Sequence, residues 1–198
     1  MHPVDLIVPL AMGFGLAACA GLRAWLPFLI LGGLARFGYL ELHPSFQFLE
    51  RTDVLMILMV ATILEILGDK IVFIDHVLDV AGTVIRPAVG SVLTASLLVH
   101  LPLRTAILLG VMVGGSAAFS THAMKSFFRT SMTMMTPFHG GGGNMVVSFG
   151  EDLLVIVGIG MAILIPLVFL FLVGMVFYYR WRRWKQQRPV VSRASIRE

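Results

Sequence analysis

Charged residues are scarce in this 198-residue chain, at 13% of the sequence against 58% hydrophobic residues. Soluble domains carry about 25% charged residues, so a surface that faces water on every side is excluded. The mean hydropathy of +0.90 points the same way. We therefore expect most of the protein surface to contact lipid.

Other features are missing as well. Cys19 is the single cysteine, so an intrachain disulfide is excluded and the redox compartment stays open. No segment alternates apolar and polar residues in the way of a transmembrane β-strand. The N-terminus has no Lys or Arg ahead of its first apolar run, so we interpret that run as a retained helix and not a signal peptide.

The sequence does contain several long apolar runs. A helix that spans the bilayer needs roughly 20 mainly apolar residues. The first and last runs meet this length alone, and the others approach it when Gly, Ser and Thr are included. The runs cover residues 6–34, 54–64, 88–99, 105–119 and 153–179. They predict an all-α, polytopic membrane helical bundle: a single transmembrane domain over residues 1–180 with about five transmembrane helices, some broken or re-entrant.

The helix ends follow from proline, glycine and polar residues. The first helix is long enough to cross with tilt, or to break near Gly21 and Pro27. Arg86-Pro87 and Gly90 should interrupt the third helix, and Pro166 should kink the fifth, because proline removes a backbone donor. The predicted helices cover residues 5–35, 53–68, 80–99, 104–126 and 151–179.

A basic tail follows the last apolar run. The segment "YYRWRRWKQQRPVVSRASIRE" holds seven of the fifteen Lys and Arg residues, and it contains Tyr and Trp residues suited to the headgroup layer. A basic cluster directly after a membrane helix is typical of the cytoplasmic side. We therefore expect residues 181–198 to form a cytoplasmic tail that touches anionic lipid, and no nucleic-acid partner. Five crossings would place the N-terminus outside.

Ionisable residues are concentrated in a few positions between or inside the apolar runs. One set follows steps of three and four: Glu65, Asp69, Val72, His76, Asp79, Thr83, Arg86 and Gly90. Because two crossings must turn back, this set is not one continuous helix, and each half keeps its own polar face: Glu65 with Asp69, then His76, Asp79 and Arg86. A second set, His122, Lys125 and Arg129, has the same spacing. Arg23 lies inside the first helix, and Glu151 and Asp152 open the fifth, where acids complement the helix dipole. The predicted substrate-binding or coupling residues are Arg23, Glu65, Asp69, Lys70, Asp75, His76, Asp79, Arg86, His122, Lys125, Arg129, Glu151 and Asp152.

The interpretation of these groups depends on the free-energy cost of burying an ionisable side chain in the membrane. An ionisable side chain at mid-membrane costs roughly 2.5–3.5 kcal/mol on insertion scales, so such groups face the bundle interior and pair with one another. The alternative is that each lies at a helix end, solvated in the headgroup layer. Because acids lie on one pair of helices and bases on others, we favour an internal polar site.

Four segments carry a resemblance to a known family. In order they are "GLRAWLP" (21–27), "EILGDKIVFIDHVLDVAGTVIRPAVG" (65–90), "THAMKSFFR" (121–129) and "NMVVSFGED" (144–152). They resemble the bacterial membrane family called domain of unknown function 4126, over most of residues 10–170. Val72 stands where members often have a proline. The resemblance implies a small multi-pass membrane protein without an assigned reaction.

Two segments also resemble each other. Both "GLAACAGLR" (15–23) and "GSAAFSTHAMK" (115–125) join a small-residue helix to a basic group, and each precedes a helix that bears acids. If they are two units, the helix between them makes the second unit enter from the opposite side. This predicts the inverted repeat of many transporters, whose broken helices form a midplane site. The alternative is coincidence among common Gly and Ala residues.

Several enzymatic and metal motifs fail or are weak. Gly140 to Gly143 lack the Lys-Ser/Thr of a phosphate-binding loop, and the "HGGGG" run has no Gly-x-Ser-x-Gly partner. We predict no catalytic residues and no cofactor. Asp75, His76 and Asp79 are an alternative cation site, because carboxylate and imidazole suit hard or borderline cations.

Together these patterns favour a transporter or flippase-like protein of the bacterial inner membrane. Its bases would engage an anionic solute or lipid headgroup, and its acids would neutralise them and accept a coupling proton. The alternatives are a lipid-modifying enzyme with His76 or His122 as acid or base, a cation transporter that uses the acidic cluster, and a structural partner. The expected partners are membrane lipids and the unknown anion, with a homo-oligomer left open.

Overall fold

A computed structural model of the protein describes residues 4–68, 72–135 and 142–186, and over these ranges it contains helices and no strands. The predicted all-α class is confirmed. The helices are α1 (Val4–Ala20), α2 (Trp25–Arg36), a short 3-10 helix (Pro44–Glu50), α3 (Thr52–Gly68), α4 (Val72–Leu97), α5 (Leu103–Leu109), a π-helical segment (Gly110–Gly115), α6 (Ser116–Met135) and α7 (Gly142–Gln186).

Three helical stretches of the described chain are long and apolar enough to cross a membrane. They are Asp79–Leu97, Leu103–Phe128 and Ser148–Pro166, and the apolar helices Asp5–Ala20 and Trp25–Arg36 are shorter. Large apolar side chains such as Val84, Met112 and Leu153 are exposed on the outside of the bundle. Length, composition and this exposed apolar surface together support a membrane protein.

The first predicted helix is broken, which is one of the two alternatives that the sequence left open. α1 ends at Ala20 and α2 begins at Trp25, so residues 21–24 form a helix break between two apolar helices. Gly21 lies where a side chain does not fit, because a Cβ there would collide with the Thr121 hydroxyl and the Ala118 carbonyl. Pro27 falls in the first turn of α2, where its missing N–H removes no helical hydrogen bond.

Several other helix ends differ from the prediction. α4 begins at Val72 and continues through Pro87, which was expected to interrupt it. α6 reaches Met135, and α7 begins at Gly142 and extends to Gln186. Polar residues were interpreted as loop because they interrupt the apolar runs, but the backbone stays helical across them. A single proline likewise removes only one backbone hydrogen bond, which tertiary packing can offset.

The core is arranged around α1, which packs against α2, α4, α6, α7 and the π-helical segment. Leu16, Leu31, Leu93 and Val155 are almost completely buried in it. Close contact between α4 and the π-helical segment depends on glycine: a Cβ at Gly110 would lie 2.9 Å from the Cβ of Ala95. This packing brings α4, α6 and α7 against the end of α1, where the helix breaks.

Candidate functional site

The carbonyl groups at the end of α1 accept hydrogen bonds from side chains of other helices. The Ala18 carbonyl accepts from Thr121 Oγ1 at 2.9 Å. The Gly21 carbonyl accepts from Arg86 Nη1 at 3.0 Å, and the Leu22 carbonyl accepts from Lys125 Nζ at 3.3 Å. The Ala18 carbonyl also accepts from Gly21 N at 3.2 Å, whereas Gly21 and Leu22 lie beyond the last residue of α1. α4 and α6 supply these side-chain donors.

The backbone amides at the start of α2 are held by one carboxylate. Ala24 N donates to Glu65 Oε1 at 2.9 Å, and Trp25 N donates to Glu65 Oε2 at 3.2 Å. The first amides of a helix lack helical acceptors and lie at the positive end of its dipole, so a carboxylate there is favourable. Glu65 is 5% exposed and is not a solvated residue at a helix end.

Arg23 connects the helix break to α3 and α7. Its Nη2 lies 2.6 Å from Asp152 Oδ1 and donates to Ser148 Oγ at 3.1 Å. Its Nη1 donates to the backbone carbonyl of Glu65 at 3.2 Å. The side chain is completely buried, so its charge is balanced inside the protein.

A second buried ion pair joins α6 to α7. Lys125 Nζ lies 3.0 Å from Glu151 Oε2, and both residues are buried. Since Lys125 also reaches the Leu22 carbonyl, this pair fixes the orientation of α6 and α7 relative to the helix break.

Arg86 on α4 is 2% exposed and contacts groups from α3, α6 and the helix break. Its Nη1 contacts the Gly21 carbonyl and, at 2.7 Å, His122 Nδ1. Its Nη2 lies 3.9 Å from Glu65 Oε1 and 4.0 Å from Asp79 Oδ1. These two separations exceed the roughly 2.7–2.9 Å of a charge-assisted hydrogen bond. Nη2 therefore interacts with these two carboxylates by electrostatic attraction, without a hydrogen bond.

The contacts of His122 define its protonation. Arg86 Nη1 carries only hydrogens to donate, so His122 Nδ1 must accept. The ring is therefore neutral with its hydrogen on Nε2, which lies 3.4 Å from Thr83 Oγ1. Thr83 Oγ1 in turn donates to the Asp79 carbonyl at 3.3 Å.

Eight of the predicted site residues come together in this way around the helix break. We call them the charge network: Arg23, Glu65, Asp79, Arg86, His122, Lys125, Glu151 and Asp152. Asp69 and Lys70 lie outside the described residues. Asp75 and His76 lie on α4 and Arg129 lies on α6, with their side chains outside the description. Within the network three bases face four carboxylates.

Some members of the site were not predicted. Ser148 accepts a hydrogen bond from Arg23 of the network, Thr121 donates to the Ala18 carbonyl near the helix break, and Gly82 leaves space beside Arg86 and His122. Ser148 lies four residues before Asp152, and Thr121 lies four before Lys125, so helical spacing could have identified both. The carbonyls of Gly21 and Leu22 leave no such signal in the sequence.

The alternative cation site gains no support here. Asp79 faces Arg86, a base, and the side chains of Asp75 and His76 are not described. Over the described residues, no group of three or more His, Cys, Asp or Glu side chains is arranged to hold a metal ion.

Comparisons with known proteins place the chain in one family. No curated protein and no solved structure matches it. The family model described as "Domain of unknown function (DUF4126)" matches residues 10–186, which is most of the chain and includes the whole charge network. The chain belongs to the DUF4126 family.

Proposed function

We propose that this protein is a proton-coupled membrane transporter for an anionic solute or an anionic lipid headgroup. The observation that carries the proposal is the charge network, which holds both sides of a helix break inside an apolar bundle. Replacing a buried ion pair by packed apolar residues is often neutral or stabilising, so a purely structural role does not need so many buried charges.

A helix break is the usual location of a transporter binding site. In many transporters discontinuous helices expose amides and carbonyls near the midplane, and these groups bind substrate and coupling ions. Here Glu65 occupies the exposed amides, while Arg86 and Lys125 occupy the exposed carbonyls. The protein's own charged side chains therefore occupy the positions that a substrate and a coupling ion would take, as in a closed resting state.

The bases supply the donor groups that would bind an anion. Arg23, Arg86 and Lys125 are buried, and the guanidinium edge of Arg86 is far enough from Glu65 and Asp79 for another anion to compete with them. A phosphate or carboxylate group matches this donor geometry. Arg129 would add a fourth base. Glu65, Asp69 and Asp79 would balance these charges when the anion is absent.

The two similar segments support an inverted repeat in this proposal. They contact each other where Gly21 of the first meets Thr121 and Ala118 of the second, and where Lys125 reaches Leu22. The two units differ locally, because the first is broken after Ala20 whereas the second stays helical. An inverted repeat with one broken and one continuous unit would make the site asymmetric.

The location that fits this function is the bacterial inner membrane, with the C-terminus in the cytoplasm. The basic residues that follow Tyr179 support this orientation. A proton gradient across that membrane would supply the coupling free energy.

The test is flux through purified protein in liposomes of phosphatidylethanolamine and phosphatidylglycerol with an imposed pH gradient. One arm adds a mixture of small carboxylates and phosphate monoesters and identifies those that enter by mass spectrometry. The other arm follows movement of fluorescent phosphatidylglycerol between leaflets by dithionite quenching. We expect gradient-dependent movement in one arm, abolished by Arg86→Gln.

The matched control is Arg51→Gln, which removes a base from an exposed ion pair with Asp53 and should retain the flux. Absence of movement in both arms at every gradient would contradict transport. A covalently altered lipid that forms without a gradient would favour the enzyme instead.

A further inference from the structure

Arg86 has two sets of neighbours, and it lies within hydrogen-bond distance of only one of them. Through Nη1 it binds the Gly21 carbonyl and His122 Nδ1 at 3.0 and 2.7 Å. Through Nη2 it faces Glu65 and Asp79 at 3.9 and 4.0 Å. The first set is bound and the second is only close. A small movement of one guanidinium therefore exchanges a backbone carbonyl at the helix break for two carboxylates.

We propose that His122 binds the coupling proton, and that its protonation moves Arg86 away from the Gly21 carbonyl toward Glu65 and Asp79. This inference rests on the proposed transport function, to which it adds the proton site and the moving residue. A proton from water adds to His122 Nδ1, the atom that now accepts from Arg86. Two N–H groups would then face each other, so the contact between His122 and Arg86 must break.

Charged groups on several helices surround this proton site. His122 is surrounded by Arg86, Asp79 and Thr83 on α4, by Glu65 on α3 beyond Arg86, and by the Gly21 carbonyl at the end of α1. Lys125 on its own helix is paired with Glu151 of α7. With His122 neutral, the set formed by His122, Arg86, Glu65 and Asp79 has a net charge of −1. Protonation of His122 makes this set neutral.

An acceptor atom and free space are available for the Arg86 side chain after this movement. Asp79 Oδ1 is shielded from solvent and has no hydrogen-bond partner among the described residues, so an approaching Nη2 would satisfy it. Space for the movement comes from Gly82: a Cβ there would lie 2.9 Å from Arg86 Nε and 3.3 Å from His122 Cε1. The Gly21 carbonyl loses its donor in the same step, which loosens the helix break.

The experiment is a pH titration of ¹⁵N-histidine-labelled protein in liposomes by solid-state NMR, with His122→Gln to assign the His122 signals. Above neutral pH we expect a neutral His122 with its hydrogen on Nε2. On lowering the pH, its signals should convert to imidazolium in one step. Trp25, whose amide is bound by Glu65, should change its fluorescence at the same pH in a Trp181→Phe, Trp184→Phe background.

Two variants sharpen the test. Asp79→Asn folds with one charge fewer and should weaken proton binding at His122 about tenfold, a downward shift of one pH unit in the midpoint. His43→Gln is the control: His43 is also buried, but its Nδ1 accepts from the Ser45 amide and its Nε2 lies near the Leu101 carbonyl, both of them backbone groups. It should leave the His122 step unchanged.

The outcomes separate this inference from transport itself. A His122 that stays neutral down to the lowest pH at which the protein is folded would overturn the proton site, even if flux is observed. A Trp25 change that persists at the same pH in His122→Gln would overturn the coupling to the helix break. Proton binding with the expected shift in Asp79→Asn supports the inference, even if neither flux arm gives movement.

Discussion

Glu65 on α3 binds the start of α2 through the Ala24 amide, at 2.9 Å from its Oε1. The same oxygen lies 3.9 Å from Arg86 Nη2 on α4. One carboxylate thus joins three helices at the point where the first apolar run is broken. We therefore expect both the stability of the helix break and the position of Arg86 to depend on Glu65.

Glu65→Gln should destabilise the protein by about 3–5 kcal/mol, because a buried ion pair loses one member while the guanidinium of Arg86 stays buried. The amide NH₂ of Gln would also face the Trp25 N–H, donor against donor. Unfolding in SDS, followed by circular dichroism, measures the loss. Glu41→Gln, at an exposed carboxylate, is the control. Equal stability of the two variants would contradict the role of Glu65.

Lys125 and Glu151 form a buried pair at 3.0 Å and suit a double-mutant cycle. Lys125→Met alone removes a buried cation that pairs with Glu151 and should destabilise by about 3–5 kcal/mol. Adding Glu151→Gln should recover at least about 1 kcal/mol relative to the sum of the single changes. The exposed pair of Arg51 and Asp53 should show no measurable coupling in the same cycle. Additive effects at Lys125 and Glu151 would argue against the ion pair.

Gly21→Ala tests the close contact at the helix break. A Cβ at Gly21 collides with Thr121 and Ala118, so we expect destabilisation of about 1–3 kcal/mol or more. Gly33→Ala on α2 meets no atom within 4 Å and should be neutral or stabilising. Thermal unfolding of both variants measures the contrast. A tolerated Gly21→Ala would mean that α6 does not approach the break this closely.

Single cysteines on α4 test whether the network opens to water. In a Cys19→Ser background, Asp79→Cys and Thr83→Cys lie on one helix face, beside Arg86 and His122. Val80 and Val84 are exposed on the adjoining apolar face. A water-soluble, charged thiol reagent should label cysteines at 79 and 83 and spare those at 80 and 84, because lipid excludes it from an apolar face. Equal labelling of both faces would contradict a water-filled cavity next to the network.

A reporter fused after Glu198 tests the orientation. The basic residues that follow Tyr179 predict that the C-terminus is cytoplasmic. A fusion to green fluorescent protein should fluoresce, and a fusion to alkaline phosphatase should be inactive. The opposite result would reverse the orientation of every helix.

The amino-acid sequence alone determined the fold class and most of the membrane character. Apolar runs of helical length and a low charge content leave few other folds for this chain. The helical spacing of Asp79 and Arg86 likewise predicted a polar face on one helix, because that spacing is a local property of the helix. The helix break near Gly21 was also visible, since glycine weakens a helix in any context.

Only the tertiary structure decided which charges meet. Glu65 binds backbone amides of Ala24 and Trp25 as well as facing Arg86, and Lys125 pairs with Glu151 on a helix whose start the sequence placed too late. Backbone carbonyls such as that of Gly21 carry no signal in a residue pattern, yet they fix Arg86. The pairing depends on how α4, α6 and α7 pack around α1, and that packing comes from non-local contacts among apolar and small residues.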